Sequence, residues 1–171
     1  HGDGFVYEPT ITNLMSIMMK EYPCNSQSIA VDIGANMGWY TGFFVANGCH
    51  TISVEAQGFA TVLLNSTIKT SSIDKSTCVD VWHRAVAKNS NIIIPMRGNT
   101  QYQGGSTISL GPGETVTEKF RKEPKIFVKG VSVFDMIMNS YISKHILQRT
   151  KVTVSMVKID IDGSELHALK G

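Results

Sequence analysis

The 171-residue chain lacks the features that mark several protein classes. It has only three cysteines (Cys24, Cys49 and Cys78), no CxxC pair and no histidine at zinc-ligand spacing from them. A disulfide framework and a structural zinc site are therefore not indicated. We expect the three cysteines to be small buried or half-buried apolar residues.

Strong charge and long apolar runs are also missing. The formal net charge is +2, and no run of five basic residues occurs, which argues against a nucleic-acid partner. No apolar run reaches the roughly 20 residues of a membrane-spanning helix, so this fragment contains no predicted membrane segment. With 42% hydrophobic residues the chain has enough apolar side chains for one core. We predict a single domain over residues 1–171.

The two ends of the chain suggest a fragment of a longer protein. The sequence opens at His1 without an initiator methionine and stops at Gly171 directly after a helical pattern, so we expect a C-terminally truncated domain. One sequon, Asn65-Ser66-Thr67, would permit glycosylation, although such short matches arise easily by chance. The compartment therefore stays open: cytoplasmic by default, secretory if the sequon is used.

Strand and helix patterns alternate along the chain. Helices are predicted over residues 10–23, 39–48, 58–69, 132–142 and 163–171. Strands are predicted over residues 28–34, 51–55, 77–87, 91–96, 125–130 and 151–162. Residues 97–124 are polar and glycine-rich, which predicts an inserted loop or hairpin. The alternation indicates an α/β fold, doubly wound around a mainly parallel sheet.

The first predicted helix carries apolar residues at helical spacing. These residues are Ile11, Leu14, Met15, Met18 and Met19. We expect this methionine-rich face to pack against the core.

The stretch VDIGANMGWY (31–40) follows the first strand with two glycines four residues apart. In a parallel sheet, ligands bind where such a turn meets the next helix. Gly34 and Gly38 allow close backbone approach, and Asp32 stands at the strand end. Glu55 ends the next strand, where a carboxylate can accept hydrogen bonds from two ribose hydroxyls. We expect a nucleoside ligand.

Two nucleoside cofactors compete for this turn. A dinucleotide site needs G-x-G-x-x-G/A, but counting from Gly34 the chain has Asn36 and Trp39 where glycine and a small residue belong. An acidic residue before the turn also suits an ammonium better than a pyrophosphate. We therefore predict S-adenosylmethionine as the cofactor.

The motifs VDIGANMGWY, VE (54–55), VKGVSVFDMI (128–137) and VKIDIDGSELHALKG (157–171) together resemble the FkbM-type methyltransferases, from about residue 7 to the end. The resemblance implies the class I methyltransferase fold of Rossmann-like type, S-adenosylmethionine and O-methylation of a small-molecule or carbohydrate hydroxyl. It also implies cofactor-binding residues: Asp32, Gly34, Asn36 and Gly38 around the methionine end and Glu55 at the ribose. Ala35 belongs to the same turn, and Ala85 lies at the exit of the third strand, where an adenine edge would pass, so we expect both to contact the cofactor as well. Ala56 and Asp162 depart from the family pattern, which has Pro and Glu there.

Each of these residues also has a purely structural interpretation. The glycines could serve only a tight turn, and Glu55 could be a solvated charge at a strand end. Trp39 and Tyr40 could pack in the core instead of stacking on adenine. His83, Arg84 and Ala85 could form a plain surface turn.

The last strand becomes charged toward its carboxyl end, although a parallel strand should be apolar on both faces. Met156, Lys158, Asp160 and Asp162 share one face by the period of two. Asp162 can cap the next helix together with Glu165, whereas Asp160 has no capping role. We predict Asp160 as the base or the group that orients the acceptor, with Lys158 as its partner.

The sequence thus predicts an S-adenosylmethionine-dependent O-methyltransferase that needs no metal, with Asp160 as its catalytic residue. Two alternatives stay open: a nicotinamide-dependent oxidoreductase, and a non-catalytic domain that keeps the fold to bind a partner.

Overall fold

The computed structural model describes residues 7–25, 27–71, 77–97, 125–146, 153–161 and 165–170. The strands are β1 Ser28–Ile33, β2 His50–Glu55, β3 Val79–His83, β4 Ala85–Val86, β5 Ile93–Arg97, β6 Lys125–Val131 and β7 Thr153–Ile159. The helices are α1 Pro9–Glu21, α2 Trp39–Ala46, α3 Gly58–Thr70, α4 Val133–Asn139 and α5 Glu165–Leu169, with a π-helical turn over Ile142–Ile146. Most of the predicted insertion, residues 98–124, lies outside the described residues.

A four-stranded parallel sheet organises the fold, with strand order β3-β2-β1-β7. The chain leaves β1 toward β2 and β3 on one side, and β7 pairs on the other side. This reversal is the topological switch point of doubly wound folds, outside whose strand ends ligands bind. The expected α/β architecture with a parallel sheet flanked by helices is confirmed, and it is consistent with a Rossmann-like fold.

The side chains on the two faces of the sheet pack in different hydrophobic clusters, because successive side chains of a strand point to opposite faces. Ile29, Val31 and Ile33 of β1 pack in one cluster, which includes Met136 of α4. Ala30 packs in the other cluster, which α1 and α2 cover. All six residues of β1 and all six of β2 are buried, as expected for interior parallel strands.

A second, three-stranded sheet has the order β4-β6-β5. β4 pairs with β6 in parallel, and β5 pairs with β6 antiparallel from Ile93 opposite Lys129 to Arg97 opposite Lys125. The predicted third strand with its exit, residues 77–87, contains β3, but the exit is itself a short strand, β4, which belongs to the second sheet. Arg84 joins β3 to β4, and its amide donates to Glu55 O (3.1 Å) and Trp82 O (3.0 Å).

The core face of α1 differs from the predicted stripe. Met15 and Met19 are buried together with Thr12. Ile11, Leu14 and Met18 are 41–57% exposed. The helix is rotated so that only part of its apolar surface meets the sheet, and a hydroxyl takes a place that the pattern gave to an apolar side chain.

Cysteine pairing is a second correction. Cys24 and Cys49 form a disulfide with their Cα atoms 5.2 Å apart, within the usual range for such bridges. It joins the segment after α1 to the residue before β2. Cys78 is free and half-buried, as expected. Spacing along the chain gave no sign of the pair because the fold brings together residues 25 positions apart.

Helix ends follow the sequence signals closely. Ser132 accepts a hydrogen bond from Asp135 N (3.0 Å), which confirms the predicted cap of α4. Gly48, after α2, takes the left-handed conformation (φ 80°) common at helix C-termini.

Candidate functional site

The turn between β1 and α2 has left-handed backbone at three positions. Gly34, Asn36 and Gly38 have φ angles of 74°, 49° and 95°. Asparagine tolerates this region, and glycine adopts it without strain. A Cβ added at Gly34 would lie 1.9 Å from the carbonyl oxygen of Asp160. The glycine is therefore required by contact with β7 as well as by its backbone angle.

Backbone amides of the turn point inward to β2. Gly34 N and Ala35 N both donate to Val54 O, at 3.0 and 3.1 Å. Asn36 N donates to Oε2 of Glu55 at 2.8 Å. Dinucleotide sites use the amides of such a turn to hold a pyrophosphate. Here three consecutive amides already have protein partners, which disfavours a pyrophosphate ligand.

Glu55 ends β2 beside this turn and is 6% exposed, so the interpretation as a solvated strand-end charge is wrong. Its Oε1 accepts from Gln57 N at 2.7 Å, and its Oε2 accepts from Asn36 N. A carboxylate has about four lone-pair sites. Each oxygen of Glu55 thus retains acceptor capacity while the side chain holds the turn against β2.

Asp32 is fully buried and lies within a polar network between β1, β2 and α2. Its Oδ2 accepts from Thr41 Oγ1 at 2.7 Å, and Thr41 Oγ1 lies 2.8 Å from Ser53 Oγ. Burial raises the pKa of the Asp32 carboxyl above its usual value, while Lys158 and the hydrogen bond from Thr41 oppose that rise. Asp32 therefore has protein partners on α2 and β7 and does not line the cavity described below.

Lys158 is the residue whose importance the sequence interpretation understated. Its side chain is 11% exposed, and Nζ lies 3.4 Å from Asp32 Oδ1 and 3.5 Å from Asp160 Oδ2. Nζ also donates to Gly34 O at 2.8 Å and lies 5.2 Å from the centre of the Tyr40 ring. One ammonium therefore connects the buried carboxylate, the turn and the end of β7. The predicted partnership with Asp160 is confirmed.

Asp160 follows β7 at the mouth of the site. Its amide donates to Ile33 O at 3.0 Å, which fixes its backbone beside β1. Its side chain is 58% exposed, in contrast to the buried Asp32. Asp160 is thus held in place by the backbone and by Lys158, and its carboxylate faces solvent.

A cavity of about 600 Å³ opens beside the turn. Gly34, Asn36, Lys158 and Asp160 border it at one end. The remaining wall includes Trp39, Gly42, Phe43 and Ala46, which form one face of α2 by their helical spacing. This volume falls in the range of small-molecule sites. The spacing of these four residues was the signal in the sequence that could have identified the wall.

The start of α1 closes one side of the cavity. Tyr7 lines it and lies 6.2 Å from Trp39, measured between ring centres. Tyr40 OH donates to Oε2 of Glu8 at 2.6 Å; burial, and then this carboxylate, raise the pKa of the Tyr40 phenol. Tyr40 is 3% exposed and packs in the core, whereas Trp39 is 39% exposed at the cavity. The two adjacent aromatic residues therefore have different roles.

The predicted residues fall into three groups. The cavity is bordered by Gly34, Ala35, Asn36, Gly38 and Asp160. Glu55 holds the turn through Asn36 N, and Asp32 is bonded to Thr41 and paired with Lys158; neither carboxylate lines the cavity. Ala85 is separate: it is 1% exposed in β4 and packs with Ile94 and Val128, so its side chain does not reach the cavity. Asp162, the predicted helix cap, lies outside the described residues.

Two further kinds of feature are absent from the described part of the chain. There, no three His, Cys, Asp or Glu side chains come together in a way that could hold a metal ion. None of the helices over the described residues combines the length and the apolar character that crossing a membrane requires.

Comparison of the chain with family models, with curated proteins and with solved structures finds no match. The functional assignment therefore depends on the fold and on the geometry of this site.

Proposed function

We propose that this chain is a class I methyltransferase domain that binds S-adenosylmethionine and methylates a hydroxyl of a small-molecule or carbohydrate acceptor. The observation that carries the proposal is the hydrogen bond from Asn36 N to Glu55, which joins the left-handed turn to the acidic end of β2. In doubly wound folds a carboxylate at the end of the second strand can accept hydrogen bonds from ribose hydroxyls beside this turn, and the position of Glu55 supports the proposal on that ground.

Two further features favour S-adenosylmethionine over a dinucleotide. The amides of residues 34, 35 and 36 are all engaged by β2, so they are not available to a pyrophosphate. The exposed carboxylate of Asp160, which borders the cavity, would repel the negative charge of a pyrophosphate. Both features count against a dinucleotide.

Methyl transfer is a direct displacement at a sulfonium, so the protein mainly aligns the acceptor and removes its proton. We assign these tasks to Asp160, whose carboxylate borders the cavity and whose backbone is fixed beside Ile33. Lys158 orients Asp160 from the protein side. Asp160→Asn is expected to lower the methylation rate by about 10²–10⁴ if Asp160 acts as the general base, with a cofactor dissociation constant within a few fold of the original.

The test of the cofactor is a calorimetric titration of the full-length protein with S-adenosylmethionine, its demethylated product and NAD. We expect the first two to bind and NAD to give no heat of binding. Preferential binding of NAD would overturn the assignment and restore the nicotinamide-dependent alternative.

A second candidate is a non-catalytic domain that keeps this fold to bind a partner. It is favoured by the internal engagement of Asp32 and Glu55, both of which have protein partners before any ligand binds. The same titration separates the candidates when it is followed by an acceptor screen. Cofactor binding together with methyl transfer to any acceptor excludes the non-catalytic domain.

A further inference from the structure

Two features of the molecule concern its maturation. One is the Cys24–Cys49 disulfide, and the other is the sequon Asn65-Ser66-Thr67. The sequon is the single Asn-X-Ser/Thr match, with X other than Pro, in the 171 residues. Neither feature takes part in the proposed methyl transfer.

The disulfide indicates an oxidising environment. Cys49 is fully buried, and Cys24 is half-buried against the same core cluster, which includes Met15 and Phe44. Disulfides of this structural kind persist in secreted proteins and are rare where glutathione keeps thiols reduced. The bridge thus points to folding in a secretory compartment.

The sequon lies on α3 in a position that can carry a sugar. Asn65, Ser66 and Thr67 are all exposed, while the buried side of the helix is formed by Ala60, Thr61 and Leu64. Asn65 Nδ2 donates to Thr61 O at 2.9 Å. The amide has two N–H donors, so a sugar can replace one hydrogen while the other maintains this bond.

A glycan at Asn65 would also leave the candidate site open. Thr67 borders the cavity, whereas Asn65 stands two residues earlier on α3. Two residues of an α-helix correspond to a rotation of roughly 200°, which directs Asn65 away from the side of Thr67. Glycosylation and ligand binding are therefore compatible.

We propose that this protein matures in a eukaryotic secretory compartment, where Cys24 and Cys49 are oxidised to a disulfide and Asn65 receives an N-linked glycan. In the first step, two thiols lose two protons and two electrons to the disulfide of an oxidising enzyme, which is reduced to a dithiol. In the second, Asn65 Nδ2 bonds to the anomeric carbon of a lipid-linked oligosaccharide. The bond from that carbon to the lipid pyrophosphate breaks, and Nδ2 loses one proton. This transfer precedes folding of α3, because it acts on the exposed chain.

The experiment uses the full-length protein with its own N-terminus, produced in eukaryotic cells. Peptide N-glycosidase should increase its gel mobility and convert Asn65 to an aspartate detectable by mass spectrometry. Asn65→Gln and Thr67→Ala should each abolish the mobility change. Ser66→Ala is the matched control, because it alters the same exposed surface but preserves the sequon, and it should stay glycosylated.

Thiol labelling of the same sample, denatured but not reduced, should modify Cys78 and spare Cys24 and Cys49. An unmodified Asn65 in the wild-type protein would overturn the glycan assignment. Labelling of Cys24 and Cys49 without a reductant would overturn the oxidising compartment. A mobility change that persists in Asn65→Gln would place the glycan at another residue, which also contradicts the proposal.

Discussion

β1 and β7 lie side by side and end at the same cavity, but they differ in burial. All six residues of β1 are buried, whereas Met156 is the one buried residue of the seven in β7. β1 has a hydrogen-bonded neighbour on both sides; β7 is an edge strand of the sheet that the described residues form. The candidate site thus lies between a fully buried strand, β1, and a largely exposed one, β7; these are called the rigid wall and the exposed wall below.

The difference explains how the two carboxylates of the site are used. Asp32, on the buried strand, accepts a hydrogen bond from Thr41 of α2 and pairs with Lys158 of β7, so it connects three elements of the fold. Asp160, at the end of the exposed strand, has a backbone fixed by Ile33 and a carboxylate open to solvent. A buried charge needs a partner, while an exposed one can interact with a ligand. The following variants test this contrast between the two walls.

The largest loss of stability is expected at Gly34, where the end of β1 contacts the end of β7. Gly34→Ala would place a Cβ 1.9 Å from the carbonyl oxygen of Asp160, and that backbone atom cannot rotate away. Left-handed strain adds to the clash, so we expect a loss of about 3–6 kcal/mol in the free energy of unfolding. Urea denaturation measures it. The matched control is Gly48→Ala, which has φ 80° but nothing within 4 Å of the added Cβ. It should cost only about 1–2 kcal/mol; equal losses would show that backbone strain, and not the contact with β7, sets the requirement.

Removing the ammonium of Lys158, which lies between Asp32 and Asp160, should cause the second-largest loss of stability. Lys158→Met leaves the fully buried Asp32 without its charged partner and releases the carbonyl of Gly34. We expect a loss of about 2–4 kcal/mol, moderated because Asp32 can take up a proton. The double variant Lys158→Met/Asp32→Asn should recover part of this loss, since no unpaired charge remains. A double variant no more stable than Lys158→Met alone would refute the dependence of Asp32 on Lys158.

Glu55 should affect both ligand affinity and the stability of the fold. Given the proposed function, Glu55→Ala should weaken cofactor binding by about 1.5–3 kcal/mol through lost hydrogen bonds to the ribose. It also leaves the amides of Asn36 and Gln57 without their acceptor, so melting must be measured alongside the calorimetric titration. Glu55→Gln retains one acceptor oxygen and should lie between wild type and Glu55→Ala. An unchanged dissociation constant in Glu55→Ala would place the ribose contact elsewhere.

The smallest effect concerns pH and the far end of β2. His50 is 7% exposed, its Nδ1 accepts from Cys78 N at 3.1 Å, and burial lowers its pKa. Below about pH 6.5 the unfolded state therefore binds a proton at His50 that the folded state does not bind. Stability falls as the pH decreases from about 6.5 toward the lowered pKa. Melting temperatures at about pH 7.5 and pH 5.5 should differ more for wild type than for His50→Gln. Identical differences would remove His50 from the pH response.

The rigid wall was largely predictable from the sequence. β-branched residues in β1, glycines at 34 and 38 and an acidic end to β2 each impose a local geometry, and those geometries agree with one another. Asn36 and Glu55 were both identified, although not the hydrogen bond between them. Local patterns specify such a turn because its requirements lie within a few neighbouring residues.

The errors came from contacts between distant parts of the chain. The Cys24–Cys49 pair depends on how α1 packs beside β2, which no spacing encodes. The face of α1 that meets the core was misjudged because Thr12 is buried and Leu14 is not. Lys158 contacts both Asp32 and Asp160 because β7 pairs with β1, and the pattern of a single strand does not predict which strand it will pair with. Ala85 was placed near the adenine because it follows the third strand, but the structure continues there into β4 of the second sheet.

That break, at Arg84, has a mechanical consequence. A single residue separates the last position of β3 from the first of β4, and its amide is shared between Glu55 O and Trp82 O. A connection of this length leaves no slack, so the second sheet cannot swing away without pulling on the end of β2. Hydrogen exchange at the Arg84 amide should therefore require the junction itself to open. If ligand binding stiffens the end of β2, hydrogen exchange at the Arg84 amide should slow. Binding would then be detected at the junction with the second sheet, which the ligand does not touch.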